Sequence, residues 1–167
     1  EVGAWIGVTA MTLAPTRATL VVMTGPDLPA PWLDRLRTLA ATAPQLRLAL
    51  VDPAEAHLDA CLQAIAPHVE AGADVIAHFR HDDDDAVAVD YVAKARADFA
   101  LAQPVFRRSR RVSIDYPRGF VLTADAGGIA VQPRMIANAS AALTIYLKPD
   151  VRRTAVHFPH WKLALSM

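Results

Sequence analysis

Val75-Ile76-Ala77-His78-Phe79-Arg80-His81-Asp82-Asp83-Asp84-Asp85 runs from an apolar stretch straight into four consecutive carboxylates. The apolar half reads as a strand buried on both sides, over Asp74 to Phe79. The acid run is not a tail, because Val87 onward is again core-type sequence. Adjacent carboxylates repel one another and lose hydration when they approach a packed domain. A hard divalent cation with oxygen ligands relieves both penalties. In an extended chain alternate side chains share a face, so Asp82 and Asp84 are expected to converge on one ion. Asp83 and Asp85 then point elsewhere.

Working towards the amino terminus, Ala18 to Met23 reads as a buried strand closed by the turn Thr24-Gly25-Pro26-Asp27. Pro31 suits the first turn of a helix that carries Leu33, Leu36, Leu39 and Ala40 on one face. Leu46 to Val51 is the next strand, stopped by Asp52-Pro53. A second helix starts near Ala54, with Leu58, Cys61, Leu62 and Ile65 on one stripe, and Pro67 ends or kinks it. Beyond the acids, Val87 to about Ala102 reads as a third helix with Tyr91, Ala95 and Phe99 aligned. Strand and helix alternating in this way predict a mostly parallel sheet covered by helices. Ligands of such sheets bind outside the carboxyl ends of the strands, where the aspartates fall.

The second half differs. Val112 to Tyr116 and Phe120 to Thr123 look like two strands joined by a tight turn at Pro117-Arg118-Gly119. Asp125-Ala126-Gly127-Gly128 is a further turn, and the last third, with Leu143 to Tyr146 and Arg153 to Val156, stays unassigned. The expectation is an α/β fold with a smaller antiparallel addition, in a single domain over 1–167. Arg107, Arg108, Arg110 and Arg111 read first as a surface loop and second as contacts for an anionic ligand.

Composition narrows the classes. Of 167 residues 53% are hydrophobic and 20% charged, which excludes global disorder. The net charge is zero, so nothing recommends a nucleic-acid partner. No apolar run reaches a membrane span. Cys61 is alone, so no disulfide forms within the chain and a reducing, cytoplasmic setting is expected. The chain starts at Glu1 rather than Met, so the native amino terminus, and any targeting signal on it, can lie upstream.

These segments resemble the rhamnosyltransferase family of bacterial glycosyltransferases. The carrying residues are Phe79 to Val87 and Ser113-Ile114-Asp115-Tyr116-Pro117-Arg118-Gly119-Phe120-Val121-Leu122. Val21 to Pro29 and Arg153-Thr154 with His157 and His160 agree more weakly. His81 stands where that family has an apolar residue. The resemblance implies a GT-A-like, Rossmann-related three-layer sandwich. The opening, Val2 to Pro15, is short for the nucleotide-base loop of that fold.

The resemblance also implies a reaction. A sugar, rhamnose by the family's naming, passes from a nucleotide diphosphate donor (a dTDP- or UDP-sugar) to a glycan or small-molecule acceptor. Asp82 and Asp84 would hold Mn²⁺ or Mg²⁺, with Asp85 as the substitute one register on and His160 or His157 as a late ligand. Asp82, Asp83, Asp84, Asp85, Arg80, Arg118 and Gly119 would face the donor. An inverting enzyme needs a general base, for which Asp115, Asp125 and Asp150 are all open.

Two rival readings fit the same acids. One is a metal-dependent phosphoryl- or nucleotidyl-transferase; the other is a non-catalytic carbohydrate- or cation-binding module. A plainer reading of the aspartates is a cap on a helix beginning near Ala86. His78 reads as a hydrogen-bonded core histidine and Cys61 as core. Oligomeric state is not readable.

Overall fold

The strand read from Val75 onwards lies in the interior of the sheet. The computed structural model describes residues 8–12, 18–82, 84–139, 141 and 143–158. Its elements run β1 (Val8–Thr12), β2 (Ala18–Thr24), α1 (Ala30–Thr42), β3 (Leu46–Leu50), α2 (His57–Ile65), β4 (Ile76–Arg80), α3 (Tyr91–Ser109), β5 (Arg111–Ile114), β6 (Arg118–Asp125), β7 (Gly128–Met135) and β8 (Thr144–Leu147). Six strands form one sheet in the order β3-β2-β1-β4-β8-β5, and β6 pairs with β7 in a separate ribbon.

The fold is mixed α/β, but the expected mostly parallel sheet is corrected. Among the described strands only β2 and β3 pair in parallel; the β1–β2, β1–β4, β4–β8 and β5–β8 pairings are antiparallel. The cause is two inserted strands. β1 sits between β2 and β4 and runs against both, and β8 does the same between β4 and β5. β2, β3, β4 and β5 therefore still point the same way, and their carboxyl ends share one edge. The strand direction was readable from local sequence; the adjacency was not.

Strand alternation divides β4 between the two faces. Ala77 and Phe79 pack with Tyr91, Ala95 and Phe106 of α3 and with Tyr146. Ile76 and His78 face the other way, towards Leu62 and Ile65 of α2. On that side Val21 and Met23 of β2 meet Ala60, Cys61, Ala64 and Ile65. The predicted α2 stripe is thus the buried one at Cys61 and Ile65, although Leu58 is exposed. Pro67 falls in a 3-10 turn, Ala66–His68, directly after α2. No helix among the described residues is long and apolar enough to cross a membrane.

α3 starts later than expected and continues through Pro104 to Ser109. Proline removes a backbone donor and crowds the carbonyl four residues back; that residue, Ala100, is exposed to water. Packing holds the helix together past it. Phe99 and Phe106 meet edge-on at 5.3 Å, and Phe99 lies 4.8 Å from the Tyr146 ring. The arginines are consequently not a loop. Arg107 and Arg108 lie in the last helical turn, Arg110 closes it in the left-handed conformation at φ 61°, and Arg111 opens β5.

The expected turn at Pro117-Arg118-Gly119 is also corrected. β5 belongs to the main sheet and β6 to the ribbon, so this segment changes sheet instead of reversing direction. Arg118 and Gly119 are the first residues of β6. The reversal comes at the second predicted turn, where Asp125 Oδ1 accepts the Gly127 N–H at 2.7 Å and Gly128 takes φ 127°.

Candidate functional site

β4 delivers the acids to the common carboxyl edge, but not as an extended pair. Arg80 Nη2 donates to Asp82 Oδ2 at 2.9 Å, with both side chains about 40% exposed. The Asp85 N–H then donates to the Asp82 carbonyl at 3.2 Å, which folds 82–85 into a turn. Strand alternation therefore ends at Asp82, and the geometric premise for converging Asp82 and Asp84 is replaced by turn geometry. Asp84 is exposed, Asp82 and Asp85 are half-buried, and Asp83 lies outside the described residues. The helix-cap explanation fails, since α3 begins at Tyr91 with Asp90 as its cap and no acid in its first turn.

The register of β8 aligns a second carboxylate with this edge. Thr144 pairs with Phe79 on one side and with Ile114 on the other. Phe79 and Ile114 are thus level, separated by two strand spacings, roughly 10 Å. Asp115 is one residue beyond Ile114, and the acids begin three residues beyond Phe79. Asp115 Oδ2 accepts the Asn138 N–H at 2.7 Å, while its Oδ1 is buried with no hydrogen-bond partner. Asn138 adopts φ 57° to make this contact. Asn is among the few non-glycine residues at ease there, and that was the one local signal for it in the sequence.

Beneath this edge lies an aromatic floor. Tyr91 meets Phe79 edge-on at 4.9 Å and Tyr116 at 5.6 Å. The Tyr91 hydroxyl and Thr144 Oγ1 share a 2.5 Å hydrogen bond. Burial pushes the Tyr91 phenol up to about 12, partly offset by that bond. The Tyr116 hydroxyl donates to Asp98 Oδ2 at 2.9 Å, and Lys94 Nζ lies 3.3 Å from the same carboxylate. Desolvation first, then this bond to Asp98, holds the Tyr116 phenol far above its ordinary range. Both phenols stay protonated, so the floor is neutral and apolar.

The other two base candidates lie elsewhere. Asp125 is spent on the tip of the exposed ribbon. Asp150 pairs with Arg110 beside the start of β5, at the opposite edge of the sheet. The remaining arginines of that cluster follow it to the same far edge. Arg118 and Gly119 leave the sheet three residues beyond Asp115 and are exposed.

His157 is not gathered with the acids. Its Nδ1 accepts the Thr154 N–H at 3.1 Å in a capping box, and its electrostatic neighbours are Arg153, Asp59 and His78. Burial and then Arg153 lower its pKa. His160 lies outside the described residues. Among the described residues no three His, Cys, Asp or Glu side chains are grouped to hold a metal. His78 is indeed core, yet neither ring nitrogen has a hydrogen-bond partner, and burial drives its pKa down to about 4.

Two cavities open away from this edge. One of about 440 Å³ is lined by Glu70, Asp74, Arg96, Phe99 and Gln103, at the amino end of β4. Another of about 210 Å³ lies between α2 and the sheet, with His78 and Thr154 in its wall. Neither has an aspartate of 82–85 or Asp115 in its lining.

The comparison with protein families decides the assignment. Residues 16–167 match the family model described as putative rhamnosyl transferase. The chain belongs to the rhamnosyl transferase family. No curated protein and no solved structure matches it. The matched span takes in the acid turn, Asp115 and the ribbon of this rhamnosyl transferase family member, and begins after β1.

Proposed function

We propose that the chain is a metal-dependent glycosyltransferase that moves a sugar, rhamnose by the family's name, from a nucleotide diphosphate donor to a hydroxyl of a glycan or small-molecule acceptor. A dTDP- or UDP-sugar is the proposed donor, and a reducing, cytoplasmic compartment the proposed setting. The observation that carries this reading is the shared edge. The acid turn and Asp115 follow β4 and β5, the two strands that flank β8 at Thr144, and those strands lie roughly 10 Å apart. That gap suits a sugar held between a diphosphate on one side and a proton acceptor on the other.

Asp82 and Asp84 are the proposed ligands of Mn²⁺ or Mg²⁺, with Asp85 beside them. Mg²⁺ takes one or two carboxylates and completes its shell with water and substrate phosphates. A pair of protein carboxylates is therefore a sufficient donor set, and one oxygen of Asp82 is left over from its bond to Arg80. When bound, the cation supplies charge neutralisation for the departing diphosphate. Arg80 orients the Asp82 carboxylate, and Arg118 is the proposed further cation for the donor.

Asp115 is the proposed base. Its Oδ1, covered in the free protein and uncovered as the acceptor binds, removes the proton of the acceptor hydroxyl as that oxygen bonds to the anomeric carbon. The bond from that carbon to the diphosphate oxygen breaks in the same step, and the nucleoside diphosphate leaves with the electron pair. The Asn138 N–H keeps the other carboxylate oxygen fixed.

Incubation with a panel of sugar nucleotides and Mn²⁺ tests the proposal, with nucleoside diphosphate release as the readout. Release from a dTDP- or UDP-sugar that vanishes with a chelator is the expected result. Cation binding with no release from any donor would instead favour a binding module.

A further inference from the structure

The β6–β7 ribbon is the largest feature that the proposed chemistry leaves unused. Each of its strands has eight residues, and all of them are exposed. The register puts Phe120 beside Pro133, Leu122 beside Val131 and Ala124 beside Ile129. Directly paired residues share a face, so this face is apolar along its whole length and continues to Met135 beside Arg118. The opposite face is mixed, with Val121 and Ala130 beside Thr123, Asp125, Gln132 and Arg134. Phe120 is 67%, Ile129 71% and Met135 77% exposed.

A two-stranded ribbon alone is marginally stable in water and needs a further layer over its apolar face. No described residue of the same chain supplies one. We infer that this face joins two copies of the chain in a symmetric dimer, ribbon against ribbon. Five large side chains exposing on the order of 100 Å² each, with Ala124 and Pro133, present roughly 600 Å² per copy. Two copies then bury about 1,200 Å², the lower end of what specific interfaces use. A two-fold axis lets one self-complementary patch satisfy both partners. A lipid surface fits less well. Arg118, beside Met135 at the start of β6, is the one cation on this face, against the clusters of roughly 4–8 Lys/Arg that recognise anionic headgroups. The inference stands independently of the transferase reading.

Sedimentation of the full chain across the micromolar range tests it. The mass is expected to rise with concentration from 18.0 kDa to twice that value. Leu122→Asp should hold the chain at monomer mass, while Thr123→Asp, on the opposite face, should dimerise as the parent does. A parent chain that stays monomeric throughout, or a Leu122→Asp variant that still dimerises, overturns the proposal. Amide exchange of β6 and β7 in the parent guards against a misfolded variant. Protection that grows with concentration supports the dimer, and protection independent of concentration contradicts it. Flotation of a monomeric parent on anionic vesicles would overturn it in favour of a lipid surface.

Discussion

The Asp115 carboxylate accepts the backbone N–H of Asn138 at 2.7 Å, and Asn138 reaches it in the left-handed conformation. One carboxylate oxygen is thereby pinned and the other left buried without a partner. Asp115→Asn should preserve the fold and donor binding while lowering kcat by about 10²- to 10⁴-fold, the usual contribution of a general base. Asn138→Gly should be tolerated. Asn138→Val, strained at positive φ by roughly 1–2 kcal/mol, should lower both stability and kcat. Steady-state kinetics with parallel melting curves separate these outcomes, and an undiminished kcat in Asp115→Asn removes Asp115 from the mechanism.

The Tyr91–Thr144 bond ties α3 to β8 beneath the site, and both residues are buried, at 4% and 0% exposure. Tyr91→Phe strands the Thr144 hydroxyl and should cost about 1–3 kcal/mol in chemical denaturation, the penalty for an unsatisfied buried group. Thr144→Val should cost a similar amount. The double variant should be less destabilised than the sum of the two, because neither partner is then left alone. Strict additivity would mean that the contact is not formed in solution.

His78 makes stability depend on pH. Its folded-state pKa is depressed to about 4 from an ordinary 6.5, first by burial and then by His157. The unfolded chain therefore binds the extra proton first as pH falls. The stability contributed by the neutral ring is complete above pH 6.5 and is lost as pH drops from there through about 4. The total is a few kcal/mol at most. His78→Leu should flatten denaturation midpoints across this window, and since neither ring nitrogen has a hydrogen-bond partner, it should not destabilise the protein at neutral pH. A variant with the parent's slope would assign the pH dependence to another group.

Local sequence carried the pieces of the sheet better than their arrangement. The apolar runs near Ala18, Leu46 and Val75 are β2, β3 and β4, because a buried strand needs a short unbroken run of apolar residues and a turn after it. β1 escaped notice, and its insertion between β2 and β4 turned neighbours expected to be parallel into antiparallel ones. β8 mattered more for function. Without Thr144 as a common partner of Phe79 and Ile114, nothing in the chain relates Asp115 to the acids, and the three base candidates look alike. The acid run itself was conspicuous, but its backbone turns after Asp82. Four adjacent carboxylates are easily seen in a sequence, whereas the hydrogen bond that folds them depends on the end of the strand. α3 runs past its expected end near Ala102 and through Pro104, since the Phe99–Phe106 packing outweighs one lost helical bond.

Calorimetric titration with a dTDP- or UDP-sugar, in the presence and absence of Mn²⁺, tests the central claim about the acid turn. The account predicts binding only with the cation, and loss of that dependence in Asp82→Ala and Asp84→Ala. Equal affinity without metal, or an unchanged metal-dependent titration in both variants, would contradict it.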